Sequence, residues 1–562
     1  MRWRFITIIL FFGILYLVLV FNIYNLQLKK GIFYLTKAEF QQLASRSLEA
    51  NRGNIYFLDK DNSLVPAALN KEYSTVYAVP KEIQEAAGLN TRATAEKLSA
   101  LINVPAGDIE KQLNKKNDQY ELLAVKVEAN IVEKIKNLNL KGIYITNELM
   151  RFYPFKDLAA HLLGFVSPAN EFEYGSQKDK NIEIGRYGAE LNFNDFLSGK
   201  SGELKNGSIV NPREGQNLVL TIDRNIQAQA EEILRSLIEE YSAVAGTVIV
   251  QEPKTGKILA MGGFPNFDPN DYSKYKVGRF INPAVELVYE PGSVFKVITM
   301  ASGIDSKKIT PDTSYTDAGS VTLNGMTIKN WDLKAHGRQT MAGVIEQSIN
   351  TGAVFAQRQI GREIFYDYLK KFGFGELTNI DLPGETKGSL RNLNVKSGYD
   401  VDFATASFGQ GVSVTPIELI SAFSSIANGG ALMKPIILAD EKPQMVRRVI
   451  SEETSRTVKQ MMVSAVIKNK VAVIENYSVA GKTGTAFIPN FGGKGYTDQV
   501  INTYMGFAPA SDPKFVILIK IEKPKGAPLA GQTVVPAFRE LARYILNYYN
   551  ISPDNLATST QQ

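Results

Sequence analysis

A serine followed three residues later by a lysine is the simplest pairing in this sequence that could carry covalent chemistry. A serine hydroxyl is a weak nucleophile until a neighbouring base takes its proton. Lysine can be that base when burial, a helix N-terminus or a second cation lowers its pKa. On a helix the two side chains share a face, about 5–6 Å apart at Cβ. The pattern occurs at Ser273/Lys276, Ser293/Lys296 and Ser511/Lys514. Ser511-Asp-Pro-Lys514 has a proline inside the spacing and reads as a turn between strands. Ser273 lies in the polar run NDYSKYK, with no apolar helix after it. Only Ser293, in YEPGSVFKVITMAS, follows Pro-Gly and opens a helix-competent run. Taken alone, that pair also describes a capped surface helix, so other segments must decide.

Two do. EQSINTG puts Ser348 and Asn350 two apart at a turn or helix boundary. SVAGKTGTAF puts Lys482-Thr483-Gly484-Thr485 between apolar stretches, as on an edge strand lining a cleft. Lys254-Thr255-Gly256 repeats the tripeptide, but it precedes the serine and sits in a hairpin turn without the Thr-Ala-Phe continuation. The chain has no cysteine and only two histidines, His161 and His336. Disulfides and thiolate nucleophiles are therefore excluded, and little remains for a zinc site or a histidine triad. No metal site is expected, and the base is expected not to be histidine.

The elements that must position these residues follow from the pattern of the whole chain. At 562 residues the sequence exceeds one hydrophobic core, so at least two folded domains are expected. The net charge of +6, without basic runs interleaved with aromatics, does not point to nucleic acid. Phe5 to Phe21 is an apolar run which, with the mixed segment to Leu28, can cross a bilayer as a helix. Asn22 to Lys30 offers no small-x-small cleavage site, so an uncleaved anchor is expected. Arg2 and Arg4 compete with Lys29 and Lys30 for orientation; the very short N-terminal tail favours translocation of the rest. Gly31 to Ala50 reads as a helical stalk, and mixed strands and helices continue to about Glu214. Among these, EYSTVYAV and GIYITN alternate like strands, and TRATAEKLSALI has helical spacing with Thr91 as its cap. A second domain begins at GQNLVLTIDRNIQAQAEEILRSLI, with Asp223 capping an amphipathic helix. A hairpin turning at Pro253-Lys254-Thr255-Gly256, a long helical region and strands from Tyr477 to Glu522 make an α+β layer. Within it, Thr415, Pro416 and Glu418 form a helix start with a capping box, and Gly429 stops that helix. The tail from Ser552 is polar and expected to be disordered.

Taken in order, Ser293-x-x-Lys296, Ser348-x-Asn350 and Lys482-Thr-Gly resemble the three motifs of the penicillin-binding protein and serine β-lactamase superfamily. The likeness covers nearly the whole chain. IGRYGAELNFNDFLSGKSGE is similar to the class B pattern that closes the non-catalytic domain, with Gly185, Gly188, Glu190, Leu197, Gly199 and Gly202 in register and Phe193 where tyrosine is usual. LTIDRNIQ, NPAVELVYEPGSVFK and FGQGVSVTPIEL are similar to the same class. SINTGAV and NTYMGFAPASDPKF look more like the septal, division-type branch than the elongation type. One segment departs: NRGNIYFLDKDNS keeps Arg52, Gly53 and Ile55 but lengthens the spacing to Asp59 and lacks the family's final glycine.

The resemblance implies a single transmembrane helix (5–28) after a cytoplasmic tail (1–4), an elongated non-catalytic pedestal (29–214), a transpeptidase domain with an antiparallel sheet flanked by helices (215–551), and a flexible tail (552–562). It implies that Ser293 is acylated, that Lys296 is its base, and that Ser348 passes protons toward Lys482. Asn350 would hold the substrate backbone, and Thr483 and Thr485 the terminal carboxylate. Backbone N–H groups of Ser293 and Thr485 would form the oxyanion hole, and Gly484 would leave room for a peptide along the strand. The implied reaction is attack on the D-Ala-D-Ala bond of a stem peptide and aminolysis by a neighbouring stem, outside the cytoplasmic membrane, with no cofactor and with covalent inhibition by β-lactams. No glycosyltransferase region lies between anchor and catalytic domain. Polymerisation would therefore fall to a SEDS-type glycosyltransferase, among divisome-type membrane partners. A D,D-carboxypeptidase or β-lactamase would pass the same acyl-enzyme to water, and a non-catalytic β-lactam receptor would keep the fold alone.

Overall fold

A computed structural model describes residues 2–24, 50–85, 90–168, 183–205, 208–490, 492–493 and 495–555. The stalk expected over Gly31 to Ala50 lies outside the described residues except at Ala50, as do 25–28 of the expected anchor and the tail beyond Asn555. The described residues divide into two compact units, 1–53 with 195–216, and 54–194 with 217–562.

In the first unit, helix α1 (Arg2–Tyr24) has 23 residues, which at about 1.5 Å each exceeds the roughly 30 Å of a hydrocarbon core. Ile6–Tyr24 is long and apolar enough to cross a membrane, and its side chains are exposed. It fits a single-pass anchor. Elsewhere in this unit, Gly53 N–H donates to Leu197 O and Gly215 N–H to Asn51 O, and Glu203–Lys205 pairs antiparallel with Ser208–Val210.

The second unit contains two five-stranded sheets. In the first, β1 (Ile55–Leu58), β2 (Leu64–Ala78), β3 (Glu121–Val127) and β4 (Ile143–Phe152) assemble with β5 (Leu218–Asp223) in the order β3-β2-β1-β5, and β4 also pairs with β2. The β1–β5 pairing is parallel and the others antiparallel. The lengthened β1–β2 turn closes without the missing glycine. Asp59 Oδ1 accepts from the N–H groups of Asp61 and Ser63, and Asn62 takes the left-handed conformation at φ 61°. Asparagine is one of the few residues besides glycine that does so readily. Helices α2 (Thr91–Ile102), α3 (Ala106–Leu113) and α4 (Ala129–Asn137) bury Leu98, Ile109, Leu113 and Ile135 against Val76 and Leu123 of this sheet. The cap of α2 is Asn90, whose side chain accepts from Ala93 N–H, rather than the expected Thr91, which is the first helical residue. Both types cap well, and one residue of phase separates them.

The second sheet is antiparallel throughout, in the order β7-β6-β10-β9-β8: β6 (Ala245–Gln251), β7 (Ile258–Phe264), β8 (Ala480–Pro489), β9 (Tyr496–Ala508) and β10 (Phe515–Glu522). Alternation sets its two faces. Val248, Val250, Ile517 and Ile519 bury against Ile226 and Leu234 of α5 (Arg224–Glu240) and Phe538 and Leu541 of α11 (Val534–Tyr548). Each such side chain contributes about 1.5–3 kcal/mol on burial. On the opposite face α9 (Pro416–Ala427) packs against β6 and β10, and α10 (Glu452–Asn469) lies along β8; the other helices of the site are α6 (Lys296–Asp305), α7 (Met341–Gln347) and α8 (Asn350–Ile360). The expected caps recur here. Asp223 accepts from Asn225 and Ile226 N–H at 2.9 and 3.0 Å, and Thr415 and Glu418 form a reciprocal capping box.

Candidate active site

The nucleophile candidate sits on a turn that three glycines allow to pack tightly. Gly292–Phe295 is a single 3₁₀ turn running directly into α6, so Ser293 precedes the α-helix by three residues. Gly292 is left-handed at φ 62°, and a Cβ there would stand 3.1 Å from Ala486 Cβ. Its N–H donates to Gly409 O at 3.1 Å, and a Cβ on Gly409 would fall 2.3 Å from Gly292 O. On the other side lies β8, the edge strand bearing Lys482-Thr483-Gly484-Thr485. A Cβ on Gly484 would meet Pro291 O at 2.9 Å and Val294 Cγ1 at 3.1 Å. The room at Gly484, expected to receive a peptide, is filled by the nucleophile turn; glycine here lets strand and turn approach. Ser293 itself is half-buried among buried Gly292, Val294, Phe295 and Lys296.

Ser348 is the hub of the cluster. It caps α7 in the left-handed conformation at φ 57°, and Asn350 begins α8 two residues later. Ser348 Oγ accepts from Lys296 Nζ at 3.3 Å and from Lys482 Nζ at 2.9 Å. Lys296 Nζ also donates to Ser348 O at 2.6 Å and Asn350 Oδ1 at 2.8 Å, so its three N–H groups have three acceptors. Lys482 Nζ donates further to Thr483 O at 2.9 Å and Thr483 Oγ1 at 3.3 Å. Asn350 Nδ2 donates to Lys329 O at 2.8 Å, which fixes its amide. Thr485 Oγ1 accepts from Ala530 N–H at 3.2 Å.

Both lysines lie in the interior without a carboxylate to pair with in these contacts. Lys296 is 0% and Lys482 4% exposed. Burial holds the Lys296 ammonium well below the usual lysine range, and the Lys482 charge adds to the shift. Burial alone brings Lys482 down to about 7. A neutral lysine amine is therefore accessible near neutral pH, which is what a base for a serine hydroxyl requires.

The eight residues singled out in the sequence thus lie on three neighbouring pieces of chain: the Gly292–Phe295 turn with the start of α6, the α7–α8 junction, and β8. The decoys do not. Ser273 and Lys276 are exposed in the segment after β7. Ser511 lies in the β9–β10 turn, donating to Asp554 at 2.6 Å. Lys254-Thr255-Gly256 forms the β6–β7 turn, with Gly256 at φ 84°. His161 is buried, its ring edge-on to Phe267, and its pKa is brought down to about 4 by burial. Among the described residues, no three His, Asp or Glu side chains group as a metal-ligand set. One site residue carried no signal of its own: Glu290 accepts from Gly411 N–H at 3.1 Å and Tyr496 OH at 3.0 Å, tying the segment before Ser293 to the start of β9. Its position inside YEPGS, beside the nucleophile, was the available clue.

Comparison with known proteins gives the family. Residues 246–543 match the family described as the penicillin binding protein transpeptidase domain, and residues 47–228 match the penicillin-binding protein dimerisation domain. Stage V sporulation protein D of Bacillus subtilis is 32% identical over 98% of this chain and 86% of its own length. Peptidoglycan D,D-transpeptidase FtsI of Escherichia coli is 28% identical over 93% of this chain and 88% of its own. Among solved structures, a peptidoglycan synthetase from Bifidobacterium adolescentis aligns with TM-score 0.66 and 26% identity, covering 90% of this chain and 96% of that one. With both family domains matched in order, and with relatives 32% and 28% identical over more than nine-tenths of its length, the chain belongs to the penicillin-binding proteins of class B, in their FtsI-like branch.

Proposed function

We propose that this protein is a peptidoglycan D,D-transpeptidase that cross-links stem peptides through an acyl-enzyme on Ser293 during septal wall synthesis. The observation that carries the reading is Ser348 Oγ held between two buried lysines, 3.3 Å from Lys296 and 2.9 Å from Lys482, beside the Ser293 turn. Neutral Lys296, with two N–H groups held by Ser348 O and Asn350 Oδ1, keeps its lone pair for a hydroxyl proton. As Ser293 Oγ attacks the D-Ala-D-Ala carbonyl, that proton moves to Lys296. Ser348 then relays a proton from the lysine side to the leaving D-Ala amine. The N–H groups of Ser293 and Thr485 receive the developing oxyanion, where one preorganised donor is worth about 3–4 kcal/mol. Lys482, Thr483 and Thr485 offer a cation and two hydroxyls for the terminal carboxylate, and Asn350 holds the peptide backbone. An incoming amine reverses the path. β-Lactams enter the same cleft and stop at the acyl-enzyme. Intact-mass measurement after exposure to a penicillin, followed by peptide mapping, should show one adduct, on the peptide containing Ser293. An adduct mapped elsewhere would overturn the assignment.

α1 anchors the protein in the cytoplasmic membrane with Met1 to Arg4 inside and the catalytic residues outside. There it meets stem peptides and works beside a SEDS-type glycosyltransferase and other division proteins; nucleic acid is not a ligand. A reporter active only in the cytoplasm, fused to the C-terminus, should stay silent, and strong signal from it would reverse the orientation.

A further inference from the structure

The left-handed backbone of Ser348 is held by side chains from three separate elements. Three successive carbonyls, those of residues 346, 347 and 348, each accept from a different one. Asn469 Nδ2, at the end of α10, donates to Glu346 O at 2.7 Å. Trp331 Nε1 donates to Gln347 O at 3.1 Å. Lys296 Nζ donates to Ser348 O at 2.6 Å. The Glu346 side chain reinforces the first tie, accepting from Ser464 Oγ at 2.6 Å and Lys468 Nζ at 2.7 Å, both on α10. The loop that presents Trp331 is itself fastened: Asn330 Nδ2 donates to Asp317 Oδ2 at 2.8 Å, and His336 Nδ1 lies 3.1 Å from Gln347 Oε1.

A left-handed serine is an uncommon conformation that persists only where its surroundings impose it. Ser348 also has little choice of position, since its one hydroxyl must reach two lysines that belong to different elements. We propose that Glu346, Asn469 and Trp331 are positioning residues of the reaction: they act through the backbone of Ser348 to keep its hydroxyl between Lys296 and Lys482. None of the three need touch substrate for this. The proposal rests on Ser348 serving the serine chemistry set out above.

The test uses the full-length protein in detergent and separates the binding of a fluorescent penicillin from its acylation rate. Labelling of the parent and its loss in Ser293→Ala establish first that the chemistry is present; failure at that stage falls on the functional reading, not on the clamp. Trp331→Phe keeps an aromatic ring and removes the indole N–H with its five-membered ring, Asn469→Leu keeps the size and removes the donor, and Glu346→Gln keeps the shape and one of the two acceptor oxygens, enough for Ser464. The Trp331→Phe/Asn469→Leu pair is expected to slow acylation on the order of 10- to 100-fold, as small misplacements of catalytic groups do. The dissociation constant before acylation should change less than about twofold, the signature of an interaction that acts on the chemical step. Glu346→Gln should stay within about threefold of the parent while Glu346→Ala falls with the pair, so the conservative variant rescues. Melting curves of each variant identify any that unfold, and Glu346→Gln against Glu346→Ala keeps the comparison open if the pair does. Unchanged acylation in the folded pair overturns the proposal. So does weakened binding with an unchanged rate, which would place Trp331 against the ligand instead of behind Ser348.

Discussion

Ser293→Ala is expected to form no covalent adduct with a fluorescent penicillin, while Ser273→Ala and Ser511→Ala label like the parent. The physical basis is where the three serines stand. Ser293 is half-buried on the turn that leads into Lys296, and Lys296 and Lys482 are buried and brought below their usual pKa, whereas Ser273 is exposed and Ser511 is engaged by Asp554. Removing the base should be nearly as severe, since general base catalysis contributes about 10²–10⁴-fold. Lys296→Met is the cleaner probe. Methionine fills the volume of the stem in a fully buried site and carries no charge to desolvate, so the fold should hold. Acylation kinetics with melting of each variant checks both. A folded Ser293→Ala that still forms a stoichiometric adduct would sink the assignment.

Arg151→Ala is expected to destabilise the second unit by about 3–5 kcal/mol, the range found when one partner of a buried ion pair is removed. Arg151 on β4 places Nε 2.6 Å from Glu190 Oε1, with both side chains at most 1% exposed. Tyr153 OH donates to the same carboxylate oxygen at 3.2 Å. A loss of that size is a large share of the roughly 5–15 kcal/mol that holds a domain folded. Arg151→Met combined with Glu190→Leu should cost less than Arg151→Ala alone, because apolar residues of similar volume need no partner. Urea unfolding of the three proteins measures this. A single variant within about 1 kcal/mol of the parent would mean that Glu190 finds other compensation.

What the sequence determined by itself is local. The caps at Asp223 and Thr415, the left-handed Gly256 of the β6–β7 turn and the apolar run of α1 depend on residues a few positions apart, and they form as their types dictate. Ser293, Ser348 and Lys482 stood out as candidates as well, because each has a local setting that the decoys lack. Even local reading has a limit of about one residue, as the cap at Asn90 shows.

Only the tertiary structure decided what those residues meet. Ser348 Oγ touches lysines 52 and 134 positions away, and no spacing rule specifies that. Burial, which moves both lysines below their usual pKa, belongs to the assembled core and not to any segment of it. Gly484 shows the same limit: the sequence marks a place without a side chain, and only the packing of β8 against Pro291 and Val294 says what fills it. The pairing of Arg151 with Glu190 and the three donors on the carbonyls before and at Ser348 also arise from elements far apart in the chain. Contacts of this kind are set by how helices and strands close on one another, which is a property of the whole chain.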